Sequence, residues 1–286
     1  MLRALDKQLG RDVAIKELLD RGNTAELRFH REALITARLE HPGIVPVHEA
    51  GRWADGTSFY AMKLVAGRPL KEVIGDAHGI ADRLALVSNV IAVADAIAYA
   101  HDRRVIHRDL KPANVIIGEF GETVVIDWGL AKLLDVSIGD TGGESEVAAA
   151  GDDVTAAGSV LGTPAYMAPE QYAGQADERS DIYALGGMLR HVLTGMPPHE
   201  GAGEGHRDTP PGRSGYPRGV PRDLTAIVAR AMAADPALRY STARAFAEDL
   251  RRFQRRIPVA ARRYSLAARL ALGVARHRVL ALAFMG

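Results

Sequence analysis

Eight consecutive residues constrain this chain more than any others: His107 to Asn114 read HRDLKPAN. A short strand pattern follows, then Asp127-Trp128-Gly129 and Ala168-Pro169-Glu170. The order of these segments carries more information than any one of them. It asks the fold to converge Asp109, Lys111, Asn114 and Asp127 on one cleft. The chain has the material to build such a scaffold. With 286 residues, 47% of them hydrophobic, it can form one large domain or two small lobes. It has no cysteine, so stability must come from packing rather than disulfides or thiolate-bound metal, as suits a reducing cytoplasm.

The chemistry that such a set can perform is phosphoryl transfer. That reaction needs a group to orient the attacking hydroxyl and accept its proton, oxygen ligands for Mg²⁺, and cations over the transferring phosphate. Asp109 is expected to face the hydroxyl and Lys111 to neutralise the γ-phosphate. Asn114 and Asp127 are expected to hold Mg²⁺ as hard oxygen ligands. Lys16 closes the run VAIK on a probable strand, from which its ammonium can reach the α- and β-phosphates, and Glu32 on the following helix is its expected partner. Taken alone, VAIK reads as a solvated strand end and Glu32 as a surface charge. The catalytic-loop context joins them.

Periodicity supplies the organisation. Asp12 to Leu19 reads as a strand, and Thr24 to Leu39 as a helix with Leu27, Leu34, Ile35 and Leu39 on its apolar spacing. After His41-Pro42-Gly43, residues 44–47 and 58–65 read as strands around a turn-rich stretch. From Ala81 to His101 the apolar positions predict one long buried helix, and residues 181–194 and 222–233 predict two more. Residues 134–159 have the composition of a long loop, and 195–219 are rich in Gly and Pro.

These residues together resemble the protein kinase family, and specifically the bacterial serine/threonine kinases of the eukaryotic type, over roughly residues 2 to 256. The resemblance implies an α+β, two-lobed protein-kinase-like fold. Residues 1–66 would be a partial small lobe and 67–256 a larger helical lobe with an activation loop at about 127–170. It implies ATP and Mg²⁺ as cofactors and serine or threonine hydroxyls of proteins as acceptors. Met62 resembles the gatekeeper, and Lys63, Leu64 and Val65 the hinge that meets adenine through its backbone. Asp181 looks like the buried anchor of the catalytic loop, and Glu170 with Arg239 like a structural ion pair. Lys111 and the segment GTPAYMAPE, with Thr163 near the acceptor pocket, are similar to serine/threonine rather than tyrosine kinases. Arg108 would read a phosphate on the loop, for which Thr155 and Ser159 are the expected acceptors.

The pattern also departs from the family. Only fifteen residues precede Lys16 and Gly10 is the sole glycine among them, so the first strand and the glycine-rich loop over the phosphates are expected to be missing. A regulatory pseudokinase is therefore the alternative reading. A small-molecule phosphotransferase related to antibiotic kinases is a second alternative, disfavoured by Lys111 and GTPAYMAPE. Residues 251–286 carry nine arginines and no acid, within a chain of formal net charge +1. The last thirty residues, 257–286, read as a basic juxtamembrane-like tail. Its terminal VLALAFMG is too short to cross a bilayer, which takes about twenty apolar residues. An anionic membrane surface is a candidate partner of that tail and nucleic acid is not expected. The segment 1–31 lacks the apolar run of a signal peptide, so the expected location is the cytoplasm, at or near the inner face of the membrane.

Overall fold

The computed structural model describes residues 1–18, 22–129, 131–133, 163–199 and 215–265. Four antiparallel strands open the fold: β1 (Leu2–Asp6), β2 (Arg11–Glu17), β3 (Val47–Arg52) and β4 (Ser58–Lys63), in the spatial order β1-β2-β4-β3. The side-chain period of two sorts β2 and β4 into faces. Val13 and Ile15 pack with Ala61 on one face, while Ala14, Tyr60 and Met62 join Phe29, Val45 and Val124 on the other. Register pairs Ala14 with Met62 and Lys16 with Tyr60. One face of the sheet therefore carries the apolar floor and the lysine side by side.

Helix α1 (Asn23–Ala37) packs on that inner face. It buries Phe29, Glu32, Ala33, Ile35 and Thr36, and leaves Leu27 39% and Leu34 58% exposed. The expectation that both leucines face the core fails for a geometric reason. They sit seven residues apart on one stripe, on the side of the helix away from Glu32, and burial of Glu32 selects the opposite stripe.

A second correction concerns residues 44–47. Ile44 makes one isolated parallel bridge to Val125, and β3 begins only at Val47. Pro46 has no N–H to give a sheet ladder, and the apolar residues before it serve the junction between lobes instead. Ile44 lies in the main core and Val45 in the cluster under the sheet, each 2% exposed. Fully burying a side chain the size of isoleucine contributes about 2 kcal/mol.

The helical lobe consists of α2 (Leu70–Asp76), α3 (Ile80–Ala85), α4 (Val87–Asp102), α5 (Glu178–Thr194), α6 (Arg222–Ala231) and α7 (Ala243–Gln254). The single helix expected from residue 81 to 101 is thus two helices meeting at Leu86. The stretch from Ile80 to Asp102 is long and apolar enough to cross a membrane, yet α4 is the core helix of this lobe, with residues such as Val90, Ala94 and Ile97 at 0% exposure. Helix α5 starts on Asp177, whose carboxylate accepts the N–H groups of Arg179 and Ser180, and stops at left-handed Gly195.

Short ribbons carry the loops of the cleft. They are β5 (Gly67–Pro69), β7 (Val115–Gly118) and β8 (Thr123–Val125) in one sheet, and β6 (Val105–Ile106) with β9 (Lys132–Leu133) in another. Beyond α7 the chain folds back rather than trailing away. Val259 is 2% exposed in the main core, and Asp249 accepts the N–H groups of Ala260 and Ala261 at 2.5 and 2.9 Å. Residues 257–265 of the expected tail are therefore packed on the helical lobe, and 266–286 lie outside the described residues.

Candidate active site

The loop between β6 and β7 is fixed from below. Asp181 of α5, 1% exposed, accepts the backbone N–H groups of His107 at 2.8 Å and Arg108 at 2.9 Å, and His101 Nε2 lies 2.8 Å away. Burial pushes the Asp181 carboxyl up, but these donors outweigh it and hold the group below the usual carboxylate range. The anchor also holds an unfavourable backbone at Arg108, whose φ is +67°. Asp127, with φ +61°, is left-handed as well, and such values cost a non-glycine residue on the order of 1 kcal/mol each.

Above the anchor, the Asp109 carboxylate is taken on both oxygens. Oδ1 accepts the Thr163 N–H at 2.9 Å and the Thr163 hydroxyl at 2.8 Å, and Oδ2 accepts Lys111 Nζ at 2.7 Å. Lys111 Nζ also donates to Thr163 Oγ1 at 2.7 Å. Asn114 Nδ2 donates to the Asp109 carbonyl at 3.0 Å, so the amide oxygen is the atom left to face elsewhere.

Lys16, Glu32 and Asp127 meet across the cleft from this group. Lys16 Nζ donates to Glu32 Oε1 at 2.5 Å and to Asp127 Oδ1 at 3.1 Å. Burial lowers the Lys16 pKa, but Glu32 and Asp127 outweigh it and leave the pKa above the ordinary lysine value. Burial likewise pushes Asp127 up, and Lys16, His107 and Lys111 bring it below the carboxylate range. Asp127 remains 40% exposed at its side chain, so its ionised carboxylate opens to the cleft. Gly129 follows closely: a Cβ there would lie 3.1 Å from Glu32 Oε2 and 3.3 Å from Asp127 Oδ1.

Between Asp127 and Gly129, Trp128 is 1% exposed and its ring centroid lies 4.7 Å from that of His107. The indole thus fills an apolar slot under the loop while its neighbour keeps the oxygens. Its Nε1, like His107 Nε2, has no hydrogen-bond partner among the described residues.

The residues expected at the adenine end lie along β4 and beyond. Met62 is 4% exposed beside Ala14, with Leu64, Val65 and Ile126 partly buried against the same cluster. The Lys63 N–H is used by the Pro46 carbonyl at 3.0 Å. The geometry brings Lys16, Glu32, Asp109, Lys111, Asn114, Asp127 and Thr163 together. Thr155 and Ser159 lie outside the described residues.

Two residues of this neighbourhood escaped the sequence reading. Tyr60 donates its hydroxyl to Glu32 Oε1 at 2.6 Å, and His101 contacts Asp181. Tyr60 was legible through strand alternation, being two residues from Met62 on the same face. His101 had no signal beyond its place in the last turn of an apolar helix.

The family model of the protein kinase domain matches residues 1–250. The chain belongs to the protein kinase family. Serine/threonine-protein kinase PknB of Mycobacterium tuberculosis is 36% identical over 261 residues, a match that covers 86% of this chain and 39% of that protein. Serine/threonine-protein kinase PknD of Protochlamydia amoebophila is 40% identical over 214 residues, covering 67% of this chain and 21% of that one. The chain thus spans well under half the length of these curated relatives. Among solved structures, the Mycobacterium tuberculosis PknI kinase domain superimposes with a TM-score of 0.65 at 28% identity, covering 87% of this chain and 88% of that chain. The α+β, two-lobed kinase fold, a strand-rich small lobe on a helical large lobe, is the architecture of this kinase-family chain.

Proposed function

We propose that this chain transfers the γ-phosphoryl group of ATP to serine or threonine hydroxyls of proteins. The observation that carries the reading is the closure of Lys111 and Thr163 on the Asp109 carboxylate, with contacts of 2.7 to 2.9 Å. An acceptor hydroxyl that displaces the Thr163 hydroxyl from Asp109 Oδ1 is placed beside the group that takes its proton, with Lys111 next to the phosphoryl group. The hydroxyl oxygen bonds to the γ-phosphorus, the bond to the β,γ-bridging oxygen breaks, ADP leaves, and the proton passes to Asp109.

The donor set fits Mg²⁺. Asn114 and Asp127 offer hard oxygens, and no group of three or more His, Cys, Asp or Glu side chains among the described residues competes for a metal. Mg²⁺ is commonly held by one or two protein oxygens together with phosphates and water. When bound, it supplies charge neutralisation at the phosphates. Lys16, held by Glu32, would orient the α- and β-phosphates. The floor formed by Ala14 and Met62, with the backbone of Lys63, Leu64 and Val65, would receive adenine.

The finer parts of the reading are the division into 1–66, 67–256 and 257–286, and regulation through Arg108 by phosphate on Thr155 or Ser159. A location on the cytoplasmic side, with the arginine-rich tail against anionic lipid, completes it. The intact Lys16–Glu32–Asp127 and Asp109–Lys111–Asn114 sets favour catalysis over a regulatory module without it.

The test is transfer of labelled γ-phosphate from Mg-ATP to the purified chain and to a generic basic protein, with Asp109→Asn as control. Transfer that disappears in the control is expected. Absence of transfer from the unaltered chain would overturn the reading.

A further inference from the structure

Glu32 is held by more than its lysine. Its Oε1 accepts Lys16 Nζ at 2.5 Å and the Tyr60 hydroxyl at 2.6 Å, while Oε2 faces Gly129. The two donors arrive together because Lys16 and Tyr60 are Cα partners across β2 and β4, which places both side chains on the inner face of the sheet. We propose that Tyr60 is a positioning residue for phosphoryl transfer, its hydroxyl biasing α1 toward the arrangement in which Glu32 engages Lys16. The inference rests on the kinase reading and adds to it a residue outside the ion pair.

The ion pair alone gives a weak preference. If α1 moves and carries Glu32 away, the Lys16 ammonium keeps Asp127, which already lies 3.1 Å from it. Tyr60 has no second acceptor among the described residues. It is 3% exposed, and among the described residues Glu32 is its hydrogen-bond acceptor. Withdrawal of Glu32 leaves a buried hydroxyl unpaired, which is costly in a way that solvent cannot relieve. The hydroxyl therefore supplies the differential contact that a two-state helix needs in order to favour one state.

Two further observations agree. The Tyr60 ring lies 5.1 Å from that of Phe29, one turn before Glu32 on α1, so ring and hydroxyl grip the same helix. Burial, and then the charge of Glu32 and its hydrogen bond, push the phenol above the ordinary tyrosine value, which favours the protonated, donating form.

The experiment compares the full chain with Tyr60→Phe, Glu32→Gln and the double variant. Phenylalanine keeps the ring packing and removes only the donor. Two readouts are taken: kcat and KM for ATP, and hydrogen exchange of the α1 amides without nucleotide. The expected result for Tyr60→Phe is a fall of about tenfold in kcat/KM for ATP, the scale of one hydrogen bond to a charged group. Faster exchange confined to α1 should accompany it, with β2 and β4 still protected. In the Glu32→Gln background the same change should add nothing to either readout. Losses that multiply in the double variant, loosening of β2 and β4 instead of α1, or no effect at all would each overturn the proposal. If the unaltered chain transfers no phosphate, the kinase reading fails, and the exchange data still decide the role of Tyr60.

Discussion

Arg239 and Glu170 face each other in a two-pronged pair, Nη1 to Oε1 at 2.6 Å and Nη2 to Oε2 at 2.8 Å, with the arginine side chain fully buried. The other guanidinium hydrogens go to the carbonyls of Ala233, Arg179 and Ala234, so all five donors are used. Burial pushes Glu170 up, and the bonds from Arg239 and Ser180 bring it back below the carboxylate range. Arg239→Ala leaves a largely buried carboxylate, 12% exposed, short of its partner and is expected to destabilise the protein by about 3 kcal/mol. Arg239→Lys should recover little, since three donors cannot match a planar fork. Denaturant unfolding of Arg239→Ala beside the paired change Arg239→Met with Glu170→Met checks the cause. The pair should cost less than the single change, because it removes both charges.

Gly129 allows the closest approach at the cleft. A methyl group there meets Glu32 Oε2 at 3.1 Å and Asp127 Oδ1 at 3.3 Å, two atoms bound through Glu32 and Asp127 to one lysine. Gly129→Ala is expected to displace both carboxylates by a few tenths of an ångström while leaving the core intact. Misplacement on the ångström scale costs on the order of 10²-fold in rate. kcat/KM for ATP should therefore fall by tenfold or more, roughly, on that scale, with the unfolding midpoint unchanged. A variant that retains its rate would mean that the glycine is needed for the turn alone.

How much of this was legible in advance follows from the range of each interaction. Asp109, Lys111 and Asn114 were readable because they are neighbours in one loop, whereas the place of Asp181, which accepts the N–H groups of His107 and Arg108, came only with the resemblance to the kinase family. Fold class followed from the same motifs. What could not be read were choices made by tertiary contact. Helix α1 turns Leu27 and Leu34 outward because Glu32 must reach Lys16. Ile44 is spent on the lobe junction rather than on a strand. The clasp of 257–265 depends on Asp249, whose partners lie eleven and twelve residues on and carry no distinctive side chain, only backbone N–H. The Tyr60–Glu32 contact needed the register of β2 against β4, which alternation narrows but does not determine.

His191 gives the stability of the acceptor side a sign that pH can test. It is 5% exposed on α5, with Nδ1 2.5 Å from the hydroxyl of Tyr166 in the GTPAYMAPE segment. Burial, followed by the cations Lys71, Arg83 and Arg190, pushes the imidazole down to about 4 from 6.5. Between those values the unfolded chain binds a proton that the folded chain refuses, so stability rises with pH. The contribution is fully present above pH 6.5 and is lost as pH falls toward 4. Its full extent is roughly 3 kcal/mol, at about 1.4 kcal/mol for each unit of displacement. The carboxylates Asp127 and Asp181 act with the same sign only at lower pH, because their ordinary value is 3.8 and both are shifted down. Denaturant unfolding measured from neutral pH to mildly acidic pH should therefore show a slope that His191→Gln flattens. If the glutamine variant keeps the slope, some other group is responsible. If the slope disappears, acidification weakens the support under Tyr166 before it reaches Asp127 or Asp181.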